Sequence, residues 1–244
     1  MRPRVILAVA LLATAACDSA PADELLVSAA ASLTDVFAEL ETGFEREHPG
    51  IDVVINLAGT STLRRQILEG APADVFASAG QADMDEVEAS GLISGQPRVF
   101  ASNRLRIAVR RGNPTEVEGL ADLAEPERLV GLCAETIPCG RLARMVLDAA
   151  GVHAAVDSEE PNVRALLSKI AGGELDVGIV YETDVIAEPG VEGVDIPDGV
   201  NRVNQYLIAV LVGSSPRGTA QDFVAYVLSP AGQAIVSGHG FGSP

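Results

Sequence analysis

The chain has 244 residues, enough for one large domain or two small ones, and at 48% hydrophobic it can bury a sizeable core. Its charge is one-sided: 17 basic residues stand against 34 acidic ones, and the net charge of -17 argues against nucleic acid or anionic membrane surfaces as partners. Lys169 is the sole lysine, and with this net charge any anion the chain binds must be held by local dipoles against its own long-range field.

The first sixteen residues read as a targeting leader rather than fold. Arg2 and Arg4 precede an apolar run from Val5 to Ala16, which is too short to span a bilayer and suits a signal-peptide core. The run ends in Thr14-Ala15-Ala16-Cys17, which resembles a bacterial lipoprotein cleavage site and makes Cys17 the candidate lipidated residue. Conventional cleavage at Ala13-Thr14-Ala15 is the alternative. Residues 17–23 then form a short linker. With Cys17 carrying lipid, Cys133 and Cys139 remain as a pair outside the cytoplasm, and that parity favours a disulfide over two buried thiols. So short a loop would contribute roughly 2 kcal/mol by chain-entropy arguments.

Strand and helix signals then alternate. Leu25–Ser28 reads as a strand and Leu33–His48 as a helix, with apolar positions at Leu33, Val36, Phe37, Leu40 and Phe44 on one face and Pro49-Gly50 as the stop. Ser32 is placed as its N-cap, with Asp35 three residues on. Ile51–Leu57 is the second strand, Leu63–Glu69 a short helix, Asp74–Ser78 the third strand and Gln81–Ala89 a helix. Arg98–Ala101 and Leu105–Val109 read as two strands split by Ser102-Asn103-Arg104. A second alternation follows: strand Leu129–Leu132, helix Gly140–Ala149, helix Asn162–Ala171, strand Asp176–Val180 and short strand Val194–Ile196. The long apolar strand Tyr206–Val212 and helices over Thr219–Leu228 and Pro230–Ser237 close the chain. This is an α/β pattern with mostly parallel sheets. Two runs of similar size, joined near Ser102 and again near Asn201–Asn204, predict a hinged clamp. One lobe takes residues 24–101 plus 204–244, the other residues 102–203.

Chemistry is concentrated in small polar turns at helix starts: Ala30-Ala31-Ser32, Gly59-Thr60-Ser61-Thr62, Ile137-Pro138-Cys139-Gly140 and Pro161-Asn162-Val163-Arg164. Tyr181 follows the strand Gly178-Ile179-Val180. A helix N-terminus leaves backbone N–H groups unpaired at the positive end of the dipole, so it holds an anion without a cation nearby. Each turn alone is an ordinary cap. Four of them in two lobes, with one tyrosine at a strand end, form a pattern.

The blocks that carry that pattern are AAASLTDVF, GTSTLRRQILEGAPADVFAS, PCGRLA, NVRALL and LDVGIVYETD. Through them the chain, from Glu24 to its end, resembles the periplasmic molybdate-binding proteins that feed ABC transporters. The resemblance implies a type II periplasmic-binding-protein clamp: two lobes, each a mixed, mostly parallel sheet flanked by helices, joined by a two-segment hinge. It implies a binding protein and no enzyme, with no cofactor, working extracytoplasmically as a monomer that captures molybdate or tungstate for a permease. It also implies a ligand set: Ser32 and Ser61 through hydroxyl and N–H, Cys139 and Val163 through N–H, and Tyr181 through its hydroxyl. Molybdenum would enter only as the molybdate those five residues hold. The family position at Cys139 is often Ala, which is tolerable where only the backbone is used. A disulfide to Cys133 would fix the loop presenting that N–H. A related group adds carboxylates to complete an octahedral site; the matching turns here carry no suitable Asp or Glu, so a tetrahedral ligand is expected.

The donor types fit that ligand. Molybdate is a dianion whose oxygens only accept hydrogen bonds, and neutral donors bind such a charge about twice as strongly as they bind a neutral acceptor. The rival readings are another oxyanion such as sulfate, phosphate or thiosulfate, and a Ser-dependent hydrolase, for which no G-x-S-x-G motif occurs. His48, His153 and His239 lack metal-ligand spacing and read as surface residues. Arg64 and Arg65 are expected to face solvent or pair with Glu69 or Asp74. Arg164 is kept as an outer partner of the site, and Asp157-Ser158-Glu159-Glu160 reads as a solvated loop.

Overall fold

The structure is a computed structural model that describes residues 23–214 and 217–244. The leader, Cys17 and the linker up to residue 22 lie outside the described residues. Hydrophobic alternation in the chain becomes a mixed α/β fold. The strands are β1 (Asp23–Ala30), β2 (Ile51–Ala58), β3 (Val75–Ser78), β4 (Ile93–Arg110), β5 (Val130–Cys133), β6 (Val156–Glu160), β7 (Val177–Tyr181), β8 (Val191–Val194) and β9 (Val203–Leu211). The helices are α1 (Thr34–Glu47), α2 (Thr60–Leu68), α3 (Gln81–Ala89), α4 (Pro138–Ala150), α5 (Val163–Gly172), α6 (Glu182–Ala187), α7 (Arg217–Leu228) and α8 (Pro230–Gly238).

One hydrogen-bonded path runs β2-β1-β3-β9-β4-β7-β5-β6, with β8 paired to the far end of β4. β1 pairs β2 and β3 in parallel, and β5 pairs β6 and β7 in parallel. β9 and β4 are antiparallel to their neighbours. The central device is β4, 18 residues long. Its first part, up to Arg104, pairs with β9, and its second part, from Leu105, pairs with β7 and β8. The polar run Ser102-Asn103-Arg104 suggested a break between two strands. The strand is continuous there because Asn103 is buried with its amide satisfied: Nδ2 donates to Thr183 Oγ1 at 2.8 Å and Oδ1 accepts from the Arg104 N–H.

Apolar residues pack on either side of that crossing. In the first half, Phe37, Phe44 and Phe223 fill the layer under α1, α7 and α8, with the Phe44 and Phe223 rings edge to face at 5.2 Å. Leu63, Ile67, Met84 and Val87 from α2 and α3 cover the opposite face. β3 is buried at every position because helices cover both its faces, which is why it reads as an apolar run rather than an alternation. In the second half, Ile107, Val109, Leu132, Val177 and Ile179 pack against Ala143, Val146 and Leu147 of α4 and Leu166 and Ile170 of α5. α4 and α5 both stop at a glycine in the left-handed region, Gly151 (φ +67°) and Gly173 (φ +77°), where a Cβ would be strained.

Several boundaries differ from the sequence reading. The acidic run 157–160 belongs to edge strand β6, not to a solvated loop. Glu160 is buried there, with its carboxylate accepting from Lys169 Nζ at 2.6 Å and from Ser158 Oγ at 2.6 Å. β8 ends at Val194 instead of starting there, and α6 has no counterpart among the expected elements. α2 begins at Thr60, three residues before the expected start, and this shift matters for the site. Among the described residues no helix is long and apolar enough to cross a membrane.

Candidate functional site

Five chain segments end at one place. β1 gives way to a 3-10 turn, Ala31–Leu33. β2 gives way to Gly59 and the start of α2, and the loop after β5 to the start of α4. β6 gives way to Pro161-Asn162 and the start of α5, and β7 ends in Tyr181. Carboxyl ends of strands in open α/β sheets are where such folds place ligands. Between the segments lies a cavity of about 20 Å³, on a scale where one water needs about 10–15 Å³. The space suits a single small ion. Ala30, Ala31, Ser32, Gly59, Thr60 and Ala79 line it from the first half of the chain. Ile137, Pro138, Cys139, Asn162, Val163 and Tyr181 line it from the second, and none of the twelve is charged.

Three hydroxyls bear on this space, and each already accepts a hydrogen bond from a fixed protein donor. Ser32 Oγ accepts from the Tyr206 hydroxyl at 3.1 Å. Thr60 Oγ1 accepts from the Ala79 N–H at 3.3 Å. Tyr181 Oη accepts from Asn204 Nδ2 at 3.3 Å. A hydroxyl has one hydrogen to give and two lone pairs; with one lone pair engaged by a protein donor, its hydrogen is left for an acceptor in the cavity. Burial, helped by the nearby Tyr206 ring and Asp184, pushes the Tyr181 phenol well above its ordinary value, so it stays a donor. Burial likewise raises Tyr206.

Backbone donors complete the set. Gly59 caps α2 and its carbonyl accepts from Thr62 and Leu63, so the N–H groups of Thr60 and Ser61 fall at the unpaired start of the helix. Pro138 opens α4 and has no N–H, which leaves Cys139 as the first donor of that turn. Asn162 caps α5, with Oδ1 accepting from the Ala165 N–H at 2.9 Å, and Val163 is the first residue inside. Cys133 and Cys139 form a disulfide with a Cα–Cα distance of 5.8 Å, tying the end of β5 to the first turn of α4.

Of the residues expected at the site, Ser32, Cys139, Val163 and Tyr181 line the cavity. The Ser61 hydroxyl does not. It lies 2.9 Å from Asp83 Oδ1 and 2.8 Å from the Thr136 carbonyl, and it lines a separate surface depression. Because α2 starts at Thr60, consecutive residues point about 100° apart around the helix; Thr60 faces the cavity and Ser61 turns away. Ser32 is not a helix cap either: it sits inside the 3-10 turn and its Oγ is engaged by Tyr206. Sequence reading missed Thr60, Tyr206, Asn204 and Asn103. The signal available was the polar string Asn204-Gln205-Tyr206 opening an otherwise apolar strand.

Charged groups stand just outside. Arg141 Nη2 is 2.7 Å from the buried Asp83, and Arg164 pairs with Asp35. Arg64 pairs with Glu86 and lies 3.5 Å from Asp83, not beside Glu69 or Asp74 as expected. Asp184, fully buried after Tyr181, accepts from the Tyr181 N–H, while its Oδ1 and Arg164 Nε lack hydrogen-bond partners. Desolvation holds its carboxyl up at about 7; Arg164 and the Tyr181 N–H pull it down, and Asp35 adds to the rise. His48 stacks on Phe44 and His239 lies 2.9 Å from Glu39, both remote from the cavity.

A family model described as bacterial extracellular solute-binding protein matches residues 25–242. The chain is 40% identical over 224 residues to the molybdate-binding protein ModA of Mycobacterium tuberculosis H37Rv, covering 91% of this chain and 86% of that protein. Two solved structures share the fold. The periplasmic molybdate-binding protein of Azotobacter vinelandii has a TM-score of 0.77 at 22% identity, over 90% of this chain and 99% of that one. The sulfate-binding protein SubI of M. tuberculosis H37Rv has a TM-score of 0.81 at 18% identity, over 90% of this chain and 86% of that one.

Proposed function

The chain belongs to the bacterial extracellular solute-binding proteins, and on that premise we propose that it captures molybdate as a tetrahedral dianion and delivers it to an ABC transporter permease. Tungstate, with the same charge and shape, is the second ligand. The observation that carries this reading is the set of three hydroxyls on Ser32, Thr60 and Tyr181, each accepting a hydrogen bond from a protein donor. Such a site offers hydrogens from uncharged groups, with no carboxylate among the residues that line it. It repels nothing on a fully deprotonated oxyanion, and its dipoles are oriented before the ligand arrives.

The ligand set proposed is therefore Ser32, Thr60 and Tyr181 through their hydroxyls, with the N–H groups of Ser32, Thr60, Ser61, Cys139 and Val163. Ser61 keeps a role through its backbone and not its side chain. The binding unit divides into lobes of residues 24–101 plus 204–244 and residues 102–203. The hinge is the pair Asn103–Asn204, where β4 and β9 run side by side. Outside the cytoplasm the chain is tethered through Cys17 and works as a monomer.

Calorimetric titration of the mature protein with molybdate, tungstate and sulfate tests the reading. Molybdate and tungstate are expected to bind one per chain, with sulfate much weaker because its shorter bonds leave some donors out of reach. Sulfate binding as tightly as molybdate would overturn it.

A further inference from the structure

Ser61 was expected to hold the ligand, and its hydroxyl instead reaches across the cleft. It contacts the Thr136 carbonyl at 2.8 Å, 75 residues away, and Asp83 Oδ1 at 2.9 Å. Arg141 completes the circuit from the other side: Nη1 donates to the Thr136 carbonyl at 2.6 Å and Nη2 to Asp83 Oδ2 at 2.7 Å. Ser61 and Asp83 sit on α2 and α3 of the first half, whereas Thr136 lies in the loop just before α4 and Arg141 in its first turn, both in the second. The contact is tight. A Cβ added at Gly80 would fall 3.1 Å from Pro138 Cγ, and one added at Gly59 would fall 2.6 Å from the Pro161 carbonyl oxygen. Asp83 is fully buried in this arrangement. A desolvated carboxylate needs its partners, and three of them (Ser61, Arg141 and Arg64) surround it.

We infer that Ser61, Asp83 and Arg141 form a clasp that holds the cleft shut over the bound oxyanion. It rests on the proposed reading of the cleft as the oxyanion site. None of the three side chains lines the cavity, so all act as positioning residues. Their cross-cleft contacts exist only while the halves touch. Separation of the halves removes Arg141 and the Thr136 carbonyl together and leaves Asp83 with Ser61 and Arg64 of its own half. The clasp therefore acts on release, not on capture: truncating one partner of a buried charge pair changes the dissociation rate far more than the association rate. The second cross-cleft pair, Asp35–Arg164, is partly exposed on both sides and is expected to add little.

The test is stopped-flow intrinsic tyrosine fluorescence. The chain has three tyrosines and no tryptophan, and Tyr181 and Tyr206 stand at the cleft. Arg141→Met is expected to speed molybdate dissociation by about tenfold or more, with association changed by less than about twofold. Ser61→Ala is expected to do the same to a smaller degree. Neither variant is expected to change the molybdate-to-sulfate affinity ratio, because neither side chain touches the anion. The melting temperature of the unliganded protein controls for folding. Unchanged dissociation rates in both variants overturn the clasp, and so does an altered affinity ratio in Ser61→Ala, which would make the Ser61 hydroxyl, and not only its N–H, a ligand. A wild-type chain that binds none of molybdate, tungstate and sulfate overturns the site reading and the clasp with it.

Discussion

On the wall built from the first half of the chain, Ser32 and Thr60 present side-chain hydroxyls that accept hydrogen bonds from Tyr206 and Ala79. On the wall built from the second half, Cys139 and Val163 present backbone N–H groups at helix starts, and Tyr181 alone contributes a side chain. The first wall depends on which residues occupy it. Tyr181 aside, the second depends on where two helices begin, and a side chain such as that of Val163 is free to vary provided the turns keep their shape. The disulfide and the Asn162 cap do that work, one in each turn.

Substitutions that break this contrast should differ in size. The largest losses are expected on the first wall. A hydrogen bond to a charged group contributes about 1.5–3 kcal/mol, so Ser32→Ala and Thr60→Val should each weaken molybdate binding by about 10- to 100-fold in calorimetry. Tyr181→Phe on the second wall should cost about tenfold, at the lower end of that range, because the ring still fills its place. Val163→Ala should sharpen the contrast by doing little: an affinity within about threefold of the parent is expected, since the N–H remains whatever the side chain. A large loss there would mean that the second wall also reads side chains.

The smallest effect concerns stability. Asp184 holds its proton up to about pH 7 in the folded chain, against an ordinary value of 3.8. The folded state thus binds a proton that the unfolded state has already lost. The stabilisation is fully present below about pH 4, declines as pH rises, and is gone above about pH 7. Melting temperatures measured from pH 4 to pH 8 should fall across that window in the parent and fall less in Asp184→Asn. Parallel profiles in the two proteins would remove Asp184 from the explanation.

The same contrast governs what could be read from the sequence. The strand-then-helix alternation and the covered strand β3 were legible because apolar periodicity follows burial directly. The turns that hold Ser32, Cys139 and Val163 were legible because small polar residues mark helix starts, whereas picking out those residues and Tyr181 as anion donors rested on the family resemblance. Thr60 was not legible: in Gly59-Thr60-Ser61-Thr62 three hydroxyl residues stand in a row, and a one-residue shift in the helix start decides which faces the cavity. Tyr206 and Asn204 escaped because β9 brings them to the cavity from 174 and 125 residues beyond Ser32 and Ala79, their partners there. The unbroken course of β4 escaped because a buried, fully bonded Asn103 looks in sequence like a loop residue.

The central claim is that the anion is held intact, as a tetrahedral dianion, by hydrogen-bond donors alone. Molybdenum K-edge X-ray absorption on protein loaded with molybdate and freed of excess ligand by gel filtration tests it most directly. The expected spectrum is that of four oxo oxygens at the distance of the free ion, with no further scatterer in the first coordination sphere. A sulfur, a nitrogen or an additional protein oxygen bound to the metal would contradict the claim, as would protein that emerges from the column without molybdenum.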